Sequence, residues 1–348
     1  MRVRLKDVAA KANVAVNTAS TILNRRPNSW ASKETAERVF QAAEELGYRP
    51  NRAALGLRIG RFNAIGLLIA DLKNPFYTTF AHYLTLAAEK CGYDVVIESW
   101  RSDLAREKVC LEEILNRQLD GVVAFLSDPQ THSSFLERQF SAGMPFVTFG
   151  SVAGGAPIVD CVISDFESGL RDAVEGLITA GHRRFAFVSA LAQGQTDGHR
   201  TQLFAELMLQ RASSGVVYEI IRCGPAIEDV YEVALKHLKE TSRPTAVIAI
   251  NDLAAMAVMR AAGDAGIRVP DDVSVVGVDN IPLGTFLPIS LSSISQPIGK
   301  MAQTAWDLIH ARIESGKEVS AAKQIVYPTE FLKRESSGNV PSVGKPLK

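Results

Sequence analysis

The sequence predicts an N-terminal all-α helix-turn-helix head followed by an α/β body of two doubly wound parallel-sheet subdomains. Three observations carry this. Three short segments within the first fifty residues place apolar side chains at helical spacing, with turn signals between them. From Asn63 onward, apolar runs of strand type alternate with amphipathic helical stretches, the pattern of parallel sheets covered on both faces. That alternation restarts after Asp160, in a chain whose 348 residues exceed what one hydrophobic core usually serves.

The head opens with Leu5–Ala12, where Leu5, Val8, Ala9 and Ala12 share one helical face. Asn13-Val-Ala interrupts it, and Asn13 stands where the turn wants a left-handed residue, a conformation Asn tolerates better than most. A second helix begins near Ala15 and turns Ala19, Ile22 and Leu23 inward. The polar stretch from Asn24 to Ser29 cannot continue it past Pro27. Ser32-Lys-Glu-Thr starts the third helix with an N-cap residue, and Val39, Ala42, Ala43 and Leu46 form its inner face. Gly47 stops it and Pro50 bars continuation. Two helices joined by a tight turn and backed by a third describe a helix-turn-helix.

In the body, Ala64-Ile-Gly-Leu-Leu-Ile-Ala reads as a buried strand, followed by a helix through Leu84, Ala87 and Ala88. Val95-Val-Ile, Gly121-Val-Val-Ala-Phe and Phe146-Val-Thr-Phe continue the series. The second series holds Phe185-Ala-Phe-Val, Glu219-Ile-Ile, Ala246-Val-Ile-Ala-Ile and Val273-Ser-Val-Val-Gly-Val. Ligands bind at the carboxyl ends of strands in such sheets, so the cleft between the subdomains is the expected pocket.

A hydrophobic content of 47% with 22% charged residues fits a soluble globular protein, and no apolar run approaches a membrane span. The N-terminus lacks an apolar signal core, so a cytoplasmic location is expected. Cys91, Cys110, Cys161 and Cys223 lie far apart without metal spacing and are expected as buried free thiols. The six histidines form no metal pair, and neither G-x-G-x-x-G after the first strand nor a P-loop is present. Gly150-Ser-Val-Ala-Gly-Gly has the wrong spacing and context. No enzyme, catalytic residue, cofactor or metal is therefore expected. The zero net charge conceals an asymmetry: residues 1–60 hold eleven Lys and Arg against five Asp and Glu, a surplus of six that the remainder cancels. A basic head on an acidic body suits a polyanion partner for the head.

The second helix is expected to show Val16, Asn17, Ser20, Thr21 and Asn24 outward. Such short side chains enter a major groove without clashing: Asn can bond adenine bidentately, and Val or a Thr methyl can meet a thymine methyl. Thr18, Ser20 and Asn24 can bond phosphate oxygens, which positions the helix. A three-helix protein-binding module with a polar face is the alternative from this segment alone.

The stretch Leu5-Lys-Asp-Val-Ala-Ala-Lys-Ala-Asn-Val-Ala-Val-Asn-Thr-Ala-Ser-Thr-Ile-Leu-Asn closely resembles the head of the lactose-repressor (LacI/GalR) family. So does Glu44-Glu-Leu-Gly-Tyr-Arg-Pro-Asn-Arg-Ala-Ala. The resemblance continues through Ile65-Gly-Leu-Leu-Ile-Ala-Asp-Leu-Lys-Asn-Pro-Phe-Tyr, Ala180-Gly-His-Arg-Arg-Phe-Ala-Phe and Ile250-Asn-Asp. It runs on in Gly266-Ile-Arg-Val-Pro-Asp-Asp-Val-Ser-Val-Val-Gly-Val-Asp and ends at Lys333-Arg-Glu-Ser, covering nearly the whole chain in order.

This resemblance implies a regulator, expected to be a repressor, that binds a palindromic DNA operator as a homodimer under control of a small effector, expected to be a sugar. It implies a periplasmic-binding-protein-like body. The DNA contacts then extend to Leu5, Asn51, Arg52, Ala54 and Leu57, with Asn51–Leu57 as a hinge helix formed on DNA and Leu57 as a wedge between base steps. Packing of Leu57 against the body is the alternative. The matching effector positions are Asn74, Phe76, Ser127, Gly150, Arg200, Asn251, Asp279 and Gln296, with Tyr77, Trp100 and Phe286 as further wall candidates. Arg200 donates a rigid fork, Asp279 accepts from two neighbouring hydroxyls and Asn251 does both. Asp252 reads as a helix cap, and Arg200 as a surface residue is the alternative to pocket lining. The expected divisions are 1–50 head, 51–61 hinge, 62–163 with 295–324 first subdomain, 164–294 with 325–338 second subdomain, and 339–348 tail without leucine heptads. Three departures stand out: Ala15 at the usual serine cap, Thr21 where an arginine often reads guanine, and a longer loop around Trp30. Trp30 either packs under the third helix or touches the DNA backbone. A solute-binding protein of the same body fold is the rival reading, and it has no use for a basic head.

Overall fold

The structure, a computed structural model, describes residues 3–23, 31–49, 56, 60–150, 157–192, 195, 197–316 and 320–340. The chain divides into a unit ending at Asn63 and one beginning at Ala64. Among the described residues no helix is long and apolar enough to cross a membrane.

The head contains α1 (Leu5–Lys11), α2 (Val16–Leu23) and α3 (Lys33–Glu45) around Val8, Ala9, Ala12, Ala19, Ile22, Val39, Ala42 and Ala43. Local signals set each boundary. Asp7 accepts from the Arg4 amide at 2.8 Å at the start of α1. Asn13 turns the chain at φ 52°, in the left-handed region as its side chain suggested. The Ser32 hydroxyl caps α3 by accepting from the Thr35 amide. At the other end Gly47, at φ 63°, donates to the Glu44 carbonyl and Tyr48 to that of Ala43, a Schellman motif that satisfies the last carbonyls. Lys11 pairs with Glu45 at 2.6 Å between α1 and α3.

The first body sheet is all parallel, in the order β11-β5-β4-β3-β1-β2. Its strands are β1 (Ala64–Ile69), β2 (Asp94–Ser99), β3 (Gly121–Phe125), β4 (Phe146–Phe149), β5 (Asp160–Asp165) and β11 (Gln324–Pro328). Successive residues feed opposite faces. Ile65, Leu67 and Ile69 pack on α4 (Pro75–Glu89) and α11 (Ile298–Ser315), whereas Leu68 packs toward α5 (Leu104–Leu115) and α6 (Ser133–Ser141).

The second sheet runs β12-β10-β9-β8-β6-β7, from β6 (Arg184–Ala190), β7 (Val217–Cys223), β8 (Ala246–Ala249), β9 (Ser274–Asp279), β10 (Ser292–Ser295) and β12 (Glu330–Leu332). Phe185 and Phe187 face α7 (Phe166–Thr179) and α8 (His199–Leu209), and Ala186 and Val188 face α9 (Ile227–Leu238) and α10 (Asp252–Asp264). Each sheet is thus covered on both sides. The expectation of parallel pairing fails at one edge, where β12 pairs antiparallel with β10. After the last crossing only three residues of strand remain, and they turn straight back along β10.

The chain passes between the subdomains three times: after Asp165, at Gln296-Pro297 and at Thr329. The first and last crossings differ from the expected divisions. β5 stays in the first sheet through Asp165, and Gln324–Pro328 pairs with it from Cys161 to Asp165, so residues 325–328 belong to the first subdomain. The reason is a buried anchor. Asp160 accepts from the Arg312 guanidinium and, at 2.7 Å, from the Lys323 amide, which holds the entrance of β11 against β5. The crossings are also bonded to one another. Ser164 Oγ donates to Gln296 Oε1 at 2.7 Å, and Thr329 Oγ1 donates to the Asp165 carbonyl at 2.7 Å. Gly169 leaves room for this, since a Cβ there would lie 2.6 Å from both Ile294 and Thr329 side-chain atoms. Of the cysteines, Cys110 and Cys161 are buried thiols as expected, but Cys91, just past the end of α4, is exposed.

Candidate functional site

The head and the body each carry a candidate surface. In the head, Val16 is 46% exposed, Asn17 is exposed and Thr18 half-buried, all in the first turn of α2. Thr21 is half-buried and donates its hydroxyl to the Asn17 carbonyl at 2.9 Å, so its oxygen remains free to accept. Ser20 departs from its expected outward position, being only 8% exposed. It sits beside Ala19 and one turn before Leu23, both on the inner face, so its small side chain falls under the edge of the head core. Leu5 is half-buried against that core. Asn24, Trp30, Asn51, Arg52, Ala54 and Leu57 lie outside the described residues.

In the body, one cavity of about 690 Å³ opens at the carboxyl ends of both sheets. It brings together Asn74, Phe76, Ser127, Gly150, Arg200, Asn251, Asp279 and Gln296, from seven different strand-to-helix connections or crossings. The first subdomain supplies an aromatic wall. Phe125 and Phe149 stack at 4.1 Å with an interplanar angle of 11°, and Phe76, Tyr77 and Phe80 meet Phe125 edge-on. Such pairs add about 0.5–1.5 kcal/mol beyond area burial. Trp100 lines the cavity too, with its indole N–H committed to the Phe125 carbonyl at 3.0 Å. Burial pushes the Tyr77 phenol well up, so this group stays neutral.

The second subdomain supplies charge. Arg200 donates to the Ile250 carbonyl at 2.8 Å, lies 4.0 Å from Asp279 Oδ1 and sets its guanidinium 4.0 Å from the centre of the Phe166 ring. Asp279 ends β9 at φ 106° and is 3% exposed. Gln296 donates to it at 2.5 Å. Burial pushes its carboxyl up to about 6, against the pull of Arg200 and Gln296. Behind it, Asp252 accepts from the Ile281 amide at 2.7 Å and from Ser293 Oγ at 2.6 Å. Burial, and then the charge of Asp279, push Asp252 up to about 7.

Two expectations are corrected here. The cap of α10 is Asn251, whose Oδ1 accepts from the Ala254 amide at 2.8 Å. Asp252, the first helical residue, instead ties the backbone just past β9 to β10. Phe286 is 82% exposed and no part of the cavity wall, because it ends the 3-10 turn Pro282–Phe286 while its neighbour Gly284 packs inward on Leu291. Several lining residues went unnoticed in the sequence: Phe125, Phe149, Ser164 and Phe166. Phe125, Phe149 and Ser164 could have been found by taking every last or penultimate strand residue as pocket-facing. Glu107 was also missed. It lies in the first turn of α5, is 2% exposed, and receives both the amide and, at 2.5 Å, the hydroxyl of Ser127.

Known proteins resemble both the head and the body of this chain. A family model described as "Bacterial regulatory proteins, lacI family" matches residues 4–51, and one described as "Periplasmic binding protein-like domain" matches residues 174–337. The chain is 29% identical over 337 residues to catabolite control protein A of Priestia megaterium, covering 95% of this chain and 98% of that one. It is 28% identical over 314 residues to the HTH-type transcriptional repressor PurR of Photobacterium profundum, covering 89% and 92%. Among solved structures, the lac repressor dimer bound to operator and the anti-inducer ONPF aligns at a TM-score of 0.78 with 23% identity, over 97% of this chain and 99% of that one. A complex of the transcriptional regulator CelR with cellobiose aligns at 0.66 with 28% identity, over 96% and 100%.

Proposed function

Because this chain belongs to the lacI family of bacterial regulatory proteins, we propose that it is a repressor that binds a palindromic operator as a homodimer and responds to a sugar in its cleft. The function is that of a DNA-binding transcription regulator with an effector-binding body, not of an enzyme. Val16, Asn17, Thr18 and Thr21 form the reading face of α2, joined by Leu5, Asn24, the hinge residues Asn51, Arg52 and Ala54, and the wedge Leu57. Two heads related by a twofold axis would present the same face to two half-sites. Binding an operator places the protein in the cytoplasm.

The observation that carries the sugar reading is the pairing of Asp279 and Arg200 opposite one aromatic wall. A polyol needs both acceptors and donors, with a flat apolar surface for one face of its ring. The Phe166 ring face is taken by Arg200, and the second-subdomain wall presents no other Phe, Tyr or Trp among its described residues. A flat base held between two rings is therefore less well served than a saturated ring stacked on one. The CelR neighbour, a complex with cellobiose, supports the same class.

Two measurements test this reading. Selection from random DNA should enrich a palindrome; enrichment of none sinks the operator proposal. In a thermal-shift screen against neutral mono- and disaccharides, at least one should stabilise the protein, and Asp279→Ala should lose about 100-fold in affinity for it, as expected when a buried charged acceptor is removed. Undiminished binding by the variant would remove Asp279 from the site.

A further inference from the structure

Most polar side chains at the cleft have part of their hydrogen-bonding capacity already committed, and the commitments fix what each can offer a ligand. Asn74 Oδ1 accepts from the Phe76 amide at 2.9 Å and Asn251 Oδ1 from the Ala254 amide, so both turn to donation through their amide NH2 groups. Gln296 is used at both ends, by Ser164 and Asp279. Ser127 is fixed in the opposite sense. Its single hydroxyl proton goes to Glu107 Oε2 and its amide to Glu107 Oε1, so toward the cavity it presents only lone pairs.

We propose that Glu107, clamped on both hydrogen-bond donors of Ser127, makes that residue an acceptor-only contact and so tunes the cleft to neutral, hydroxyl-bearing sugars against their phosphate esters and acids. The proposal rests on the sugar reading of the cleft and names its chemical class. Glu107 is a positioning residue that acts through Ser127. Its carboxylate is buried, and its other neighbour is His132 Nε2 at 3.4 Å, at the end of the 3-10 turn Pro129–His132. No sequence motif marks this residue; only the fold brings it beneath β3. An acceptor backed by a carboxylate welcomes a ligand hydroxyl. It meets an anionic oxygen lone pair to lone pair, with a like charge behind, and the penalty falls on the anion alone.

The test inverts the polarity without changing the shape. In Glu107→Gln, the Ser127 amide still requires an oxygen opposite it, so the new NH2 must face Ser127 Oγ and donate to it. The hydroxyl proton then turns into the cleft, and Ser127 becomes a donor. Binding by calorimetry would compare glucose, galactose, cellobiose and maltose with glucose 6-phosphate, galactose 6-phosphate and glucuronate. The wild type should prefer neutral sugars, and Glu107→Gln should shift the neutral-to-anionic affinity ratio by about tenfold toward the anions, the scale of one hydrogen bond to a charged group. Ser127→Ala should weaken neutral binding and leave the binding of the anions no weaker. An unchanged ratio in a folded Glu107→Gln protein, or unchanged neutral affinity in Ser127→Ala, overturns the role of Glu107 while leaving the sugar reading intact. A wild type that prefers the phosphates overturns the role as well. A wild type that binds no sugar of either kind overturns the sugar reading and this proposal with it.

Discussion

The two walls of the cleft are built on the same plan and behave differently. Both rise from the carboxyl ends of parallel strands. The first-subdomain wall is a cluster of rings continuous with the hydrophobic core, from Phe80 through Phe125 to Phe149. The second holds buried charge, with Asp279 and Asp252 on successive layers and Arg200 in front. Strand ends thus place side chains at a cleft wherever the sheet puts them, but the chemistry decides their energetic sign. Apolar rings stabilise the fold by being there, whereas buried carboxylates cost stability unless partners such as those of Asp252 offset their desolvation.

The largest test of that contrast is pH. Both Asp279 and Asp252 have carboxyls pushed above the ordinary value, so the native state holds protons that the unfolded chain has released. Their contribution to stability is fully present below pH 3.8 and is lost as the pH rises to about 6 for Asp279 and about 7 for Asp252. Asp252→Asn keeps an acceptor for the Ile281 amide and removes one titration. Urea unfolding at pH 4.5 and 7.5 should show this variant losing less stability across the interval than wild type, by on the order of a few kcal/mol. Parallel slopes would mean that Asp252 ionises freely.

Next in size is Phe125→Ala on the aromatic wall. Removing a ring that four neighbours contact should lower stability by about 3 kcal/mol, read from the unfolding midpoint. A loss below about 1 kcal/mol would show that this wall belongs to the ligand rather than to the core. The smallest effect is expected where the two chemistries meet. Phe166→Leu keeps an apolar side chain but removes the ring under Arg200, which should cost about 0.5–1 kcal/mol of sugar affinity, a few-fold in calorimetry. A loss as large as that of Asp279→Ala would make Phe166 itself a ligand contact.

Legibility in the sequence followed the range of the forces involved. The three helices of the head, the left-handed Asn13, the Ser32 cap and the Gly47 stop were all legible, because each depends on atoms within about four residues. The alternation of strands and helices was legible for the same reason, and it places the lining residues at strand ends once the sheets are parallel. The burial of Ser20 was not legible, since a small residue at the edge of a helical stripe is covered or bare according to its neighbours. Nor was the exchange of duties between Asn251 and Asp252, where both side chains can cap and only the nearness of β9 and β10 drew Asp252 away.

By itself, then, the sequence determined the head, the two-sheet body and the set of strand ends that face a common space. The tertiary structure alone decided where the chain crosses between subdomains, which way β12 pairs, and what each polar group at the cleft has left to give. Periodicity and capping act along the chain, but the Glu107 clamp on Ser127 spans twenty residues, the Ser164–Gln296 bond 132, and the Arg312–Asp160 pair that pins β11 spans 152. Such partners meet only after the sheets have formed, because burial without a partner is what makes those hydrogen bonds obligatory.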